Sequence, residues 1–221
     1  MKQTIKCRLG GMLAAACLLL LSGCHQDTFD AGAYMTSVVD SLYQGEHEEY
    51  QEFVEISEEE AEKAYLEQLR SEALYFGERF GFTQTDRTLY RTMAFYRALY
   101  QRSQYQVTSV ENDNETLKLV MEIEPIDLFV KHKEEIEQRV LHFTTRITEG
   151  EFAGQSQEKI DCQYCDYLLD YLEKQLDTSG WGEPQTITVH MEKNQGAYVI
   201  QEEDLKLIDQ TLVQYDSADT K

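Results

Sequence analysis

At Tyr105 the spacing of apolar residues changes, and that change limits what the chain can fold into. Upstream, Leu89, Met93, Tyr96 and Tyr100 recur every three or four residues, the period of a helix with one buried face. Downstream, Tyr105 and Val107, then Leu117, Leu119, Met121 and Ile123, recur every second residue. They alternate with Lys118, Glu122 and Glu124 around the turn-rich Asn112-Asp113-Asn114. A second alternating pair follows, with Ile187, Val189 and Met191 turned back at Asn194-Gln195-Gly196 into Tyr198-Val199-Ile200. A chain carrying both periods is neither a helical bundle nor a β-sandwich. The expectation is an α+β fold, in which two antiparallel hairpins form a roughly four-stranded sheet packed with about six helices.

Helix boundaries follow from capping chemistry. Tyr34, Met35, Val38, Val39, Leu42 and Tyr43 give a first helix closed by Gly45. Ser57-Glu58-Glu59-Glu60 is a capping box opening a long helix to about Phe80, and Thr85-Asp86 caps a third running to about Ser103. Pro125 ends a strand, and Asp127 is placed to cap a helix with the face Leu128, Phe129, Ile136, Val140 and Phe143. Ile160 to Leu176 makes a fifth helix, and Leu205, Ile208, Leu212 and Tyr215 lie on a sixth. The order helix, hairpin, helix thus occurs twice, about Asp86 to Ile147 and about Ile160 to Tyr215. A duplication and two unrelated capped hairpins would look alike at this level.

The N-terminus carries an address. Lys2, Lys6 and Arg8 precede an apolar run from Gly10 to Leu21, the pattern of a secretory signal. Spanning a bilayer needs roughly 20 apolar residues, and this shorter run gives way at once to His25-Gln26-Asp27, which argues against a permanent membrane helix. Leu21-Ser22-Gly23-Cys24 resembles the bacterial lipobox. That resemblance implies cleavage between Gly23 and Cys24 and lipid attachment at the Cys24 thiol, so that acyl chains in the bilayer hold the protein on the extracytoplasmic face of the cell membrane. Four segments are expected: signal peptide 1–23, lipid-anchored linker 24–33, a single α+β domain 34–216, and a disordered tail 217–221.

The chain has 20 Lys and Arg against 41 Asp and Glu, a formal net charge of −21. Removing residues 1–23 takes away three basic residues and no acidic one, leaving 17 against 41 and a net of about −24. Such a surplus disfavours nucleic acid, whose binding depends on Lys and Arg at the phosphates. It also repels anionic lipid head groups, leaving the acyl chains alone to hold the domain down.

Taken with the lipobox, three phrases carry a wider resemblance: DAGAYMTSVVDSLYQGEHEEYQEFVEISEEEAEKAY from Asp30 to Tyr65, MEIEPIDLF from Met121, and VHMEKNQGAYVIQEEDL from Val189. The chain resembles a family of cell-surface lipoproteins of Gram-positive bacteria known only as a domain of unknown function. The resemblance implies an α+β lipoprotein and brings no catalytic residue.

Several constellations invite chemistry. Cys162-Gln163-Tyr164-Cys165 holds the two thiols left once Cys7 and Cys17 depart with the signal and Cys24 is lipidated. Buried or edge thiols, a local disulfide and a redox pair are all open readings. The segment Gln155 to Lys159 before them is not the strand that a thioredoxin-type site wants. Tyr164, Tyr167 and Tyr171 form a stripe that suits either core packing or stacking on a sugar ring. Trp181, between Gly180 and Gly182, suits a ligand contact or a core seal. His132, Glu135, Arg139 and His142 line one helix face, but Arg139 sits where a zinc site needs a ligand. Glu46, Glu48, Glu49, Glu52 and Glu58 to Glu60 lack the spacing of a calcium loop. Asn114-Glu115-Thr116 fits a glycosylation sequon, which means little if the lipobox places the protein in a bacterium.

The expectation is a non-enzymatic binding or interaction module, without metal or cofactor, recognising a small ligand or another envelope protein. A thiol-disulfide protein using Cys162 and Cys165, and a structural or stress-related partner of a membrane protein, stand as alternatives.

Overall fold

The computed structural model describes residues 29–113, 116–194 and 197–216. Gly23, Cys24, the sequon's Asn114 and the expected tail 217–221 lie outside the described residues. The helices are α1 (Ala31–Val39), α2 (Glu48–Phe53), α3 (Glu58–Phe80), α4 (Asp86–Tyr100), α5 (Leu128–Lys131), α6 (Lys133–Thr148), α7 (Gln157–Gln175) and α8 (Glu202–Leu212). The strands are β1 (Gln104–Asp113), β2 (Thr116–Glu124), β3 (Gln185–Asn194) and β4 (Ala197–Ile200). The fold is α+β, as the two periods require.

The strands form one antiparallel sheet in the order β1-β2-β3-β4, so each hairpin stays intact and β2 and β3 join them at the centre. Alternation decides the faces. Leu119, Met121, Ile123, Val189 and Met191 are fully buried on the helix side, and burying each such side chain stabilises the fold by about 1.5–3 kcal/mol. The opposite face carries Gln106, Ser109, Glu111, Lys118, Glu122, Thr188, His190 and Glu192, which are exposed or half-exposed. A bulge between Val107 and Ser109 interrupts edge strand β1. β4 stops at Ile200, and the chain itself completes the β3 ladder: the His190 N–H donates to Asp204 Oδ2 (2.6 Å), and the Gln201 N–H donates to the His190 carbonyl (3.2 Å).

Capping behaves as read at Ser57. Its N–H donates to Glu60 Oε2 (3.0 Å), and the Glu60 N–H donates back to Ser57 Oγ (3.2 Å). Thr85 caps α4 in the same way, with Thr88 as its partner. Gly45 closes the first helix after a π-turn over Asp40–Gln44. Its φ is +75°, and an added Cβ would lie 2.8 Å from the Tyr65 ring, so a side chain here is barred by both conformation and space.

Four boundaries differ from expectation. The first helix starts at Ala31, capped by Asp30, three residues before the expected start of the domain at Tyr34. Helices number eight rather than about six among the described residues. The short acidic α2 is too brief to display a period, and the helix expected after Asp127 is broken at His132 (φ −108°, ψ 20°) into α5 and α6. Asp127 stands at the N-cap position of α5, but its side chain caps neither piece. Its Oδ1 instead accepts from the Gly180 N–H (2.8 Å), tying the end of β2 to the loop before β3. The last helix ends at Leu212, leaving Tyr215 beyond it.

Candidate functional site

The strongest concentration of chemistry lies where α3 meets α8. Glu72 of α3 is buried, and its carboxyl makes hydrogen bonds with Asp209 of α8, Tyr100 of α4 and Tyr215. Gln68, one turn before Glu72, donates Nε2 to both acids, 3.2 Å to Glu72 Oε1 and 2.8 Å to Asp209 Oδ1. Tyr43 donates its hydroxyl to Asp209 Oδ1 (3.2 Å), and the Tyr96 and Tyr215 hydroxyls lie 2.6 Å apart. Among the described residues no Lys or Arg pairs with either acid. Arg79 is one ring removed, with its guanidinium 4.9 Å from the Tyr215 centroid and an ion pair of 3.0 Å to Asp216.

Two carboxylates cannot both ionise cheaply without a cation. Burial first, then the charge of Asp209, pushes the Glu72 carboxyl well above its usual range. Burial also raises Asp209, but its bonds from Glu72, Tyr43 and Gln68 favour the anion. The pair therefore keeps a proton that two solvated acids would release, and Glu72 is the one raised further. Burial likewise holds the Tyr96, Tyr100 and Tyr215 hydroxyls protonated, so they remain donors. A pair sharing one proton is the raw material of acid–base catalysis. Here Glu72 is only 6% exposed, which leaves a substrate little access to its carboxyl. The one cleft described is lined by Tyr34, Val38, Leu42, Tyr50, Ile56 and Ile200, between α1, α2, α3 and β4.

The cysteines sit elsewhere. Cys165 is fully buried, its sulfur 3.7 Å from Thr92 Oγ1, and half-buried Cys162 lies 3.4 Å from Thr85 Oγ1. Both are free thiols. Burial pushes the Cys165 thiol up to about 11, against the lowered value that a nucleophilic thiol needs. Cys162 lies beyond the first turn of α7, out of reach of most of the helix-terminal field.

Two candidates from separate stretches of sequence meet and close each other. The α6 histidine face packs on the α7 tyrosine stripe: His142 Nδ1 lies 3.1 Å from the Tyr167 hydroxyl, and His132 Nδ1 lies 3.1 Å from that of Tyr171. The Arg139 guanidinium covers both rings, 5.1 Å from the Tyr167 centroid and 4.2 Å from that of Tyr171. Those faces are thus already occupied by a cation. Tyr164 is buried against Phe143 (4.8 Å). Among the described residues no three His, Cys, Asp or Glu side chains converge as a metal would require. Glu46, Glu48, Glu49, Glu52 and Glu58 to Glu60 lie exposed.

Trp181 is anchored at its polar edge and open on its face. Its Nε1 donates to the Arg102 carbonyl (2.9 Å), while the Arg102 guanidinium lies 5.6 Å from its centroid. The ring remains 38% exposed. The following glycine makes this possible: the Gly182 N–H donates to the Pro125 carbonyl (2.8 Å), and a Cβ there would meet Gln214 Oε1 at 2.9 Å.

Sequence reasoning did not find the Glu72–Asp209 pair. An isolated acid on the apolar side of a helix was the available signal. Among the described residues no helix is long and apolar enough to cross a membrane. No family model and no curated protein matches the chain. Among solved structures it is similar to the crystal structure of ycdA from Bacillus subtilis, described as a "putative lipoprotein", with a TM-score of 0.56 at 11% identity. The match covers 82% of this chain and 55% of that one, so this chain spans about half the length of its structural relative, and what the two share is the fold.

Proposed function

We propose that this chain is an extracytoplasmic lipoprotein, anchored by acyl chains on Cys24, whose α+β domain is a non-enzymatic binding or interaction module. The lipobox joined to a domain with the fold of ycdA supports the anchor. The module reading is carried by one observation: the groups that invite chemistry are engaged with one another. Glu72 is closed by Asp209 and tyrosines, the α6 histidines by Tyr167 and Tyr171, and Cys165 by the core. The polar face of the sheet and the Trp181 loop are two of the surfaces open to a partner. Burial of Cys165 weighs against the thiol-disulfide alternative.

Metabolic labelling with a fatty acid tests the anchor. Cys24→Ala should take up no label and accumulate as precursor, and continued labelling would overturn the reading. A thermal-shift screen of the domain tests the module, since a ligand at about 100 times its dissociation constant adds about 2.7 kcal/mol. A saturable shift would name a small ligand. Silence together with a specific crosslink in cells would assign a protein partner instead, and turnover of any panel compound would refute the non-enzymatic reading.

A further inference from the structure

Phe29, the first residue of the described chain, is fixed in place. Its ring stacks on Tyr198 of β4 (5.1 Å) and packs against Tyr34 (5.6 Å) and Phe53 (6.2 Å). Tyr198 faces Lys193 across the β3–β4 ladder, close to the turn of that hairpin. The pairing of Thr116 with Glu192 brings the turn of the β1–β2 hairpin to the same end of the sheet. Trp181 belongs to the other end, where the Gly182 N–H bonds to Pro125 directly after β2 and just before β3 begins. At about 3.3 Å per residue, the strand from Gln185 to Lys193 separates these ends by about 26 Å.

Cys24 precedes Phe29 by five residues, which fully extended reach about 17 Å. A domain held on so short a lead from one end of its sheet cannot present all sides to the membrane equally. We infer that the anchored protein turns the hairpin-turn end of its sheet toward the lipid bilayer, with Phe29, Phe53, Tyr198 and Lys193 nearest the head groups, and holds the Trp181 end outward. This inference rests on the lipid attachment at Cys24 proposed above.

The chemistry of the two ends fits. Half-buried aromatic rings beside a lysine suit the head-group zone, where amphipathic rings settle. Exposed Glu111 and Glu192 on the same end, and the strongly acidic domain behind it, oppose deeper contact with anionic lipid. The end therefore lies over the surface without inserting. Trp181 with Arg102 is left on the side that a soluble ligand or envelope partner approaches.

Trp181 is the sole tryptophan of the chain, which makes the arrangement measurable. The full lipidated protein is reconstituted into neutral phosphatidylcholine vesicles containing a dansyl-headgroup lipid, and energy transfer from tryptophan to dansyl is read. Flotation with the vesicles reports the anchor separately. Transfer from wild-type Trp181 should be weak, and a tryptophan at position 198, as Tyr198→Trp in a Trp181→Phe background, should transfer severalfold more. Should Trp181→Phe not fold, Tyr198→Trp alone must raise total transfer. Equal transfer from both positions, or stronger transfer from Trp181, would show a domain lying on its side or inverted and would overturn the orientation while leaving the anchor intact. Failure to float would remove the anchor and the orientation with it.

Discussion

The junction of α3 with α8 and the junction of α4 with α7 both depend on carboxylates, and they treat them in opposite ways. At the first, Glu72 and Asp209 meet in the core with tyrosines and a glutamine for company, and one keeps its proton. At the second, Arg91 spans the surface of α7, reaching Asp166 (2.6 Å), Asp170 (2.6 Å) and Glu173 (2.9 Å), while Arg87 adds a second bond to Asp166 (2.6 Å). The Asp170 side chain there is 63% exposed. Charge is removed in the interior by protonation and balanced at the surface by arginine. In a chain with a large surplus of acids, cations are scarce, and they appear where water lowers the cost of holding them.

The contrast is broken most severely by deleting the buried acceptor. Asp209→Ala removes the acceptor that the Gln68 amide and the Tyr43 hydroxyl share, and a hydrogen bond to a charged group contributes about 1.5–3 kcal/mol. A loss of about 3 kcal/mol or more is expected in denaturant melts at neutral pH, largely restored in Asp209→Asn, which keeps an acceptor oxygen. Equal losses in both variants would mean that shape, not hydrogen bonding, holds the junction.

The buried junction also predicts a pH response. Folded Glu72 holds a proton that the unfolded chain releases near the usual value of 4.5. Between that value and the raised one, the folded state binds more protons, so stability falls as pH rises, by about 1.4 kcal/mol per pH unit for each proton. The contribution is fully present below the usual value and lost as pH climbs through the raised one. Burial shifts Asp209 in the same direction. The groups facing Glu72 are Gln68 of α3, Tyr96 and Tyr100 of α4, Asp209 and Tyr215, with Tyr43 on Asp209 and with Tyr75 and Arg79 against Tyr215. Glu72→Gln should flatten the decline and exceed the wild type in stability above neutral pH. An unchanged slope would place the proton elsewhere.

How far this could be read from sequence follows from distance along the chain. The alternation in β2 and β3, and the caps at Ser57 and Thr85, are local, and they located the sheet, its buried face and the starts of α3 and α4. Glu72 and Asp209 are 137 residues apart, and neither looks unusual among 41 acids. The meeting of His132 and His142 with Tyr171 and Tyr167 is equally non-local: each stripe was visible, while their mutual closure depends on how α6 packs on α7. α2 escaped notice because six residues cannot show a helical period. Asp127 does stand at the start of a helix, as its place before an apolar run implies, but its carboxylate serves the Gly180 N–H, which nothing nearby in the sequence signals.

The surface clasp should give less. Arg91→Ala breaks three ion pairs to α7 while Arg87 keeps Asp166, and exposed pairs contribute about 0.2–1 kcal/mol each, so a loss of about 1–2 kcal/mol is expected at low salt. Salt near 1 M shortens the screening length to about 3 Å and should erase most of that difference. The Asp209→Ala loss should change less across the series, because Glu72 is buried and Asp209 half-buried, so that salt screens the pair less than it screens the clasp. A clasp variant insensitive to salt would remove the distinction between the junctions.

The smallest effect, and the sharpest probe of the clasp, lies in the thiols beneath it. Cys162 and Cys165 stand on α7 against Thr85 and Thr92 of α4, so their reactivity reports whether the two helices stay together. Cys162→Ser should cost less than about 0.5 kcal/mol, as a substitution of a half-buried side chain that leaves a polar atom facing Thr85. An alkylating reagent should modify Cys162 in the folded protein and spare Cys165, whose thiol is both shielded and pushed up to about 11 by burial. Arg91→Ala should then speed Cys165 modification at low salt, since opening the α4–α7 seam exposes the sulfur, while Asp209→Asn should not. Labelling of Cys165 at the same rate in wild type and in Arg91→Ala would show that the core, not the arginine, keeps the seam shut. Absence of labelling at both cysteines until reductant is added would show them oxidised to a disulfide, and the thiol-disulfide reading would take the place of the closed pair.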